Sequence, residues 1–244
     1  MTKAISDYYG WRARLGIIYT SSSTIMESDF YAMAPAGVSS HTTRVMLGKV
    51  TVDELSKLGG RAVEATRLLA TAHLDSIVFG CTSGSFVNGP GYDAELIEEL
   101  SEVSEGIPVT TTTAAMVLGL ETLGLEKVVI VTPYTDEINA RAQAYFDAIG
   151  HPVLAIKGLG VKTDYEMTRL APETVYRLAR SAWTKEADGM VISCTSLRTL
   201  EVIDELENDL GKPVISSNQA SFWASLRTAG VEERVPGFGT LLLT

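Results

Sequence analysis

The sequence predicts an α/β protein of two similar lobes, each with a parallel sheet. Three observations point there. Two nine-residue segments are nearly the same: residues 75–83 read DSIVFGCTS and residues 188–196 read DGMVISCTS. Residues 15–22 likewise match 127–134, and 106–115 match 211–220, at offsets of 112 and 105 against 113 for the first pair. A period that long marks a duplicated domain, since solenoid repeats run to about 20–50 residues. Short runs rich in Val and Ile recur at 15–20, 77–80, 127–132, 190–193 and 213–216, as parallel strands buried on both faces require. Helical patterns lie between them, and that alternation builds a parallel sheet.

Taken in order, the strand at 15–20 is followed by a helix over 52–72, where Leu55, Leu58, Ala62, Ala65, Leu68 and Leu69 recur at a helical period. The strand at 77–80 runs into Cys81, and after the turn at 88–91 an acidic amphipathic helix covers 94–103. A Pro-Val strand and a helix close the half. The second half repeats the order through 127–132, 190–193 with Cys194 at its end, an acidic helix over 199–210, and 213–216. Three strands per half are expected. The first lobe takes residues 1–115 plus 220–244 and the second 116–219, with residues 1–10 expected to be disordered. Ligands of parallel sheets bind beyond the carboxyl ends of the strands, and both cysteines stand there.

Composition narrows the function. Hydrophobic residues make up 45% of the 244, enough for a sizeable core, yet runs such as 114–120 are too short to span a bilayer. The first ten residues contain no signal-peptide core, so a cytoplasmic protein is expected. A net charge of −10 without a basic stripe argues against nucleic acid and acidic membranes as partners. Two cysteines in such a chain suggest thiols rather than a structural disulfide. A homodimer or higher homo-oligomer is expected.

Each cysteine closes a strand and opens a hydroxyl turn, Thr82-Ser83 after Cys81 and Thr195-Ser196 after Cys194. Turn N–H groups can stabilise a thiolate and lower its pKa, and the same groups can hold a carboxylate. One thiolate and one thiol on opposite faces of a substrate make a base and an acid for proton transfer at carbon. A thiolate is also a nucleophile toward an electron-poor double bond. The competing reading is that a buried Cys only packs; two cysteines at matching repeat positions, each followed by Thr-Ser, argue for more. Hydroxyl-rich turns recur at 21–24, which includes Ser22 and Ser23, at 110–113, at 132–135 around Tyr134, and at 216–218. Loops favour such residues anyway, but their gathering at the cysteine edge fits an anion pocket. Asp164 reads either as a cap for the helix through 167–170 or as a group facing the site.

Other chemistries find little support. His41, His73 and His151 are dispersed and the cysteines are single, so no metal is expected. Gly158-Leu159-Gly160 lacks the rest of a dinucleotide fingerprint and reads as a turn. A Cys-His protease arrangement lacks a His at a strand end of the repeat.

The segments 80–83 (GCTS), 132–134 (TPY), 193–198 (SCTSLR) and 216–220 (SSNQA) resemble the aspartate/glutamate racemase superfamily, most of all its group of maleate cis-trans isomerases, arylmalonate decarboxylases and an ectoine-utilisation protein. The resemblance runs from about 16 to 230. It implies two pseudo-symmetric Rossmann-like lobes with the site in the cleft, a cofactor-free enzyme and a small carboxylate substrate. It casts Cys81 as the nucleophile and Cys194 as its acid/base partner, or both as the two bases of a racemase. Thr82, Ser83, Tyr134 and Thr195 fall where such enzymes hold substrate carboxylates. Decarboxylases of the group keep only the second thiol, so Cys81 argues against that activity. Two departures concern the substrate: the first loop has Ser22-Ser23-Thr24 where isomerases carry Ser-Asn-Thr, and Asp164 stands where they carry Asn. A carboxylate there repels a second substrate carboxylate or attracts an amine.

Overall fold

The computed structural model describes residues 9–244, so the expectation for residues 1–10 falls almost wholly outside the described residues. Two four-stranded, all-parallel sheets form the core. In the first, β1 (Ala13–Thr20) lies between β2 (Val38–Val45) and β3 (Ser76–Gly80), and β4 (Val109–Thr111) pairs with β3. In the second, β5 (Val128–Thr132) lies between β6 (Val153–Gly158) and β7 (Gly189–Ile192), and β8 (Val214–Ser216) pairs with β7. The strand orders β2-β1-β3-β4 and β6-β5-β7-β8 are the same pattern twice, as the duplicated sequence requires.

The four interior strands β1, β3, β5 and β7 are buried almost throughout. Each of their Val, Ile and Phe side chains contributes about 1.5–3 kcal/mol by leaving water. The expectation of three strands per half is corrected to four. The strands it lacked, β2 (VSSHTTRV) and β6 (VLAIKG), each pair with only one neighbour and are mostly half-buried or exposed. Edge strands bury too little to need a continuous apolar run.

The helix expected over 52–72 divides at Lys57 into α2 (Val52–Ser56), capped by Thr51, and α3 (Leu58–Ala70). The acidic helix after the first cysteine turn is α5 (Tyr92–Glu102), and the turn itself winds into a short helix, α4 (Thr82–Phe86). After Cys194 no such helix forms, and the helix expected from 199 starts later, as α10 (Ile203–Leu210). The remaining helices are α1 (Met26–Met33), α6 (Thr112–Thr122), α7 (Asp136–Ala148), α8 (Asp164–Thr168), α9 (Pro172–Ala182) and α11 (Ser217–Thr228). Helix α11 leaves the second sheet after β8, starts on a Ser216–Gln219 capping box, and packs on β3 and α1 of the first lobe. The chain thus crosses between lobes after β4 and again after β8. That brings the carboxyl ends of both sheets to one cleft. Among the described residues no helix is long and apolar enough to cross a membrane.

Candidate active site

Strand β3 delivers Cys81 to the cleft from one side and β7, through Ser193, delivers Cys194 from the other. Both thiols are free and only 4% exposed. Together with Thr20, Leu47, Val50, Thr82, Ser83, Tyr134, Asp164, Met167 and Thr195 they line one tight cavity, hardly wider than a water molecule.

The thiols have matching surroundings. The backbone N–H of Gly84 is directed at Cys81 Sγ, and the N–H of Ser196 donates to Cys194 Sγ at 3.3 Å. The Tyr134 hydroxyl lies beside Cys194 and Ser83, with Met167 Sδ 3.9 Å from Cys194 Sγ. The expectation that turn N–H groups would lower the thiol pKa values is corrected. Burial comes first and pushes both up to about 12. The charge of Asp164 pushes the same way, and the N–H bonds offset only part of it. Tyr134 is likewise held well above its ordinary value by burial, and then by charge on either thiol. Burial thus favours the protonated form of all three groups.

The two cysteine turns are tied to each other. Thr195 Oγ1 donates to the carbonyl of Gly80 at 3.2 Å, and Thr82 Oγ1 lies 2.9 Å from Ser217 Oγ at the start of α11. One residue further along α11, Asn218 Nδ2 donates to Thr195 O at 3.1 Å and to Asp29 Oδ2 at 2.7 Å.

Asp164 is the first residue of α8. The cap of that helix is Thr163, whose Oγ1 accepts from Glu166 N, so the capping role passes to its neighbour. The Asp164 side chain, 4% exposed, turns into the cleft. Its Oδ2 accepts from Thr20 Oγ1 at 2.5 Å and lies 3.0 Å from Ser22 Oγ, and its Oδ1 accepts from Ser196 Oγ. Neutral hydroxyls of both lobes therefore converge on this carboxylate. Among the described residues lining the cavity there is no Lys, Arg or His.

Of the residues singled out from sequence, Cys81, Cys194, Thr82, Ser83, Tyr134, Asp164 and Thr195 meet at the cavity wall. Ser22 and Ser196 stand behind it as partners of Asp164. Ser23 is fully buried within the first lobe, where its Oγ accepts from Ile25 N at 3.5 Å, and it does not reach the cavity. Sequence reasoning missed Thr20, Leu47, Val50 and Met167. Thr20 ends a recognised strand and adjoins a recognised hydroxyl turn, which was a usable signal. Leu47 and Val50 follow the unrecognised β2. They reach the cavity because Val50 N donates to Lys162 O at 3.0 Å, clasping a loop of each lobe over the thiols. An outer groove lies beyond this clasp, with Val50 in its wall as well. Among the described residues no cluster of three His, Cys, Asp or Glu side chains could hold a metal ion.

The family profile of arylmalonate decarboxylase matches residues 15–242. The chain belongs to the arylmalonate decarboxylase family. The arylmalonate decarboxylase of Bordetella bronchiseptica is 32% identical over 198 residues, covering 80% of this chain and 82% of its own. The maleate isomerase of Pseudomonas putida S16, solved with maleate, superposes with a TM-score of 0.91 at 28% identity, covering 94% and 97% of the two chains. Nocardia farcinica maleate cis-trans isomerase, solved with a covalently bound succinylcysteine intermediate, also gives 0.91 at 26% identity, covering 95% and 98%. With both thiols in one cavity and this whole-length likeness, the present member of the arylmalonate decarboxylase family is a cysteine-dependent isomerase.

Proposed function

We propose that the protein isomerises a small unsaturated carboxylate by reversible addition of Cys81 to its double bond, without a cofactor. The observation that carries this is the convergence of Cys81, Cys194 and the Tyr134 hydroxyl on one tight cavity. In the reactive state the pair holds one proton. The Cys81 thiolate forms a C–S bond to one alkene carbon while Cys194 gives its proton to the other. The former double bond, now single, turns. The Cys194 thiolate takes the proton back, the C–S bond breaks, and the trans product leaves with the Cys81 thiolate restored. Thr82, Ser83 and Tyr134 supply hydroxyl donors for a substrate carboxylate, while Thr195 commits its hydroxyl proton to the Gly80 carbonyl. Ser22 and Ser196 act behind them through Asp164.

A second reading, racemisation, draws on the near-equal surroundings of the thiols, each 4% exposed and each receiving one backbone N–H. One would remove a proton α to the carboxylate and the other return one on the opposite face. The test is mass spectrometry of Cys194→Ala incubated with maleate and with amino acids, beside solvent deuterium incorporation by the wild type. A substrate-mass adduct on the Cys81 peptide supports addition. Deuterium at the α-carbon without an adduct supports racemisation. Full turnover by both Cys81→Ala and Cys194→Ala overturns both.

Two free thiols suit the reducing cytoplasm, where we place the enzyme. We also propose a homodimer or higher homo-oligomer. A one-chain mass by light scattering would overturn the second statement.

A further inference from the structure

We infer that Asp164 is a cation subsite, and that the substrate is a small carboxylate that also carries a protonated amine. The inference rests on the two-thiol isomerase reading and narrows its substrate. Asp164 is a buried carboxylate in the wall of the reaction cavity, and its partners Thr20, Ser22 and Ser196 are all neutral. Hydroxyls satisfy its lone pairs but bring no countercharge. Among the described residues no Lys, Arg or His lines the cavity to neutralise either this group or a substrate carboxylate. A dicarboxylate bound here would place a second negative group against Asp164 among buried side chains, where little water screens the repulsion. A substrate with one carboxylate and one ammonium group avoids that. Its carboxylate takes the hydroxyl donors of the first cysteine turn and Tyr134, and its ammonium forms a charge-assisted hydrogen bond with Asp164.

The arrangement also links substrate choice to chemistry. Asp164 lies close enough to both thiols for its charge to oppose their ionisation. A substrate ammonium that neutralises Asp164 removes that opposition when the substrate arrives. One thiol can then lose its proton with the substrate in place, whereas a bound dianion would hold both thiols protonated.

The experiment compares cis-γ-aminocrotonate with maleate. Each is a four-carbon cis-alkene with one carboxylate, and they differ only in an aminomethyl against a second carboxylate group. Their saturated counterparts, γ-aminobutyrate and succinate, serve as ligands that slow alkylation of Cys81 and Cys194 by iodoacetamide. We expect wild-type kcat/KM for the amino compound to exceed that for maleate by about tenfold or more, in line with one charge-assisted bond against one repulsion. We expect γ-aminobutyrate to protect the thiols better than succinate. Asp164→Asn, which keeps an acceptor for the hydroxyls, is expected to reverse both rankings. Ser196→Ala removes a donor but not the charge; it is expected to lower Tm and keep the rankings. A wild type that prefers maleate and is better protected by succinate overturns the cation subsite, as does an unchanged ranking in folded Asp164→Asn. Neither result touches the thiol reading, which fails separately if Cys81→Ala and Cys194→Ala keep full activity. If neither alkene is turned over, thiol protection alone decides, and equal protection by the two saturated ligands counts against the subsite.

Discussion

Thr195 donates a hydrogen bond to the carbonyl of Gly80 at 3.2 Å, so the turn behind the second cysteine is pinned to the residue before the first. The two thiols are thereby held in one frame even though they come from different sheets. Thr195→Val keeps the shape but leaves that buried carbonyl without its donor. An orphaned buried acceptor costs about 1–3 kcal/mol. Misplacing reacting groups by a fraction of an ångström costs rate more than binding. Urea unfolding is expected to show a loss of that size, and steady-state kinetics a fall in kcat larger than the rise in KM. Unchanged kcat in a destabilised variant would show that the frame is structural only.

Burial pushes Cys81 and Cys194 up to about 12, against 9.0 for an ordinary thiol. The sign follows. Folded-state values above the unfolded ones stabilise the fold below about pH 9, and that contribution is lost as pH climbs toward 12. Alkylation of the ligand-free protein by iodoacetamide should therefore keep accelerating beyond pH 9 without levelling off. The single variants Cys81→Ser and Cys194→Ser let each remaining thiol be followed alone. A plateau near about pH 8.5, the range of a free thiol, would mean that the cavity does not enforce protonation.

How much of this could be read from the chain differs by element. The strands expected at 15–20, 77–80, 127–132, 190–193 and 213–216 appear within two residues of those bounds, because burial on both faces demands unbroken Val and Ile. Strands β2 and β6 escaped notice because an edge strand tolerates Ser, Thr, His and Lys. The break at Lys57 leaves no mark in a hydrophobic period that runs on through Leu55 and Leu58. Cys81 and Cys194, with their Thr-Ser turns, were legible because duplication wrote them twice. Leu47, Val50 and Met167 were not, because they reach the cavity only when loops more than a hundred residues apart meet at the Val50–Lys162 clasp.

Asp29 offers a second test of the polar scaffold behind Cys194. It is 8% exposed, and burial pushes it up to about 7 from 3.8 despite the hydrogen bond from Asn218. Protonated Asp29 suits the fold, so its stabilising contribution is full below about pH 4 and is lost as pH rises toward 7. Asp29→Asn stays neutral at every pH and keeps an acceptor for Asn218. Relative to wild type it should gain stability between about pH 4 and pH 7, by up to about 4 kcal/mol, an upper bound set by the full shift. In melting experiments the Tm difference between variant and wild type should widen over that interval, by about 2–4 °C for each kcal/mol gained. A constant difference would mean that Asp29 titrates as an ordinary surface carboxylate does.

Gly158, at the end of β6, sets the position of Tyr134. A Cβ there would overlap Asn139 Nδ2 and the carbonyl of Tyr134. Both belong to the support of the tyrosine turn: Thr132 Oγ1 donates to Asn139 Oδ1 at 2.6 Å and accepts from Tyr134 N at 3.0 Å, while Tyr134 O accepts from Gly160 N at 3.0 Å. Backbone cannot give way as a flexible side chain does. Gly158→Ala is therefore expected to cost about 1–3 kcal/mol of stability and to lower kcat by about tenfold or more as the Tyr134 hydroxyl shifts from Cys194. Gly60, inside α3, is the matched control: a Cβ there meets nothing within 4 Å. Gly60→Ala should raise stability by about 0.8–1 kcal/mol through helix propensity alone, with activity unchanged. If Gly158→Ala loses stability but keeps its kcat, the tyrosine is not positioned through this strand end, and the hydroxyl beside Cys194 finds its place from the phenol's own packing against Phe86.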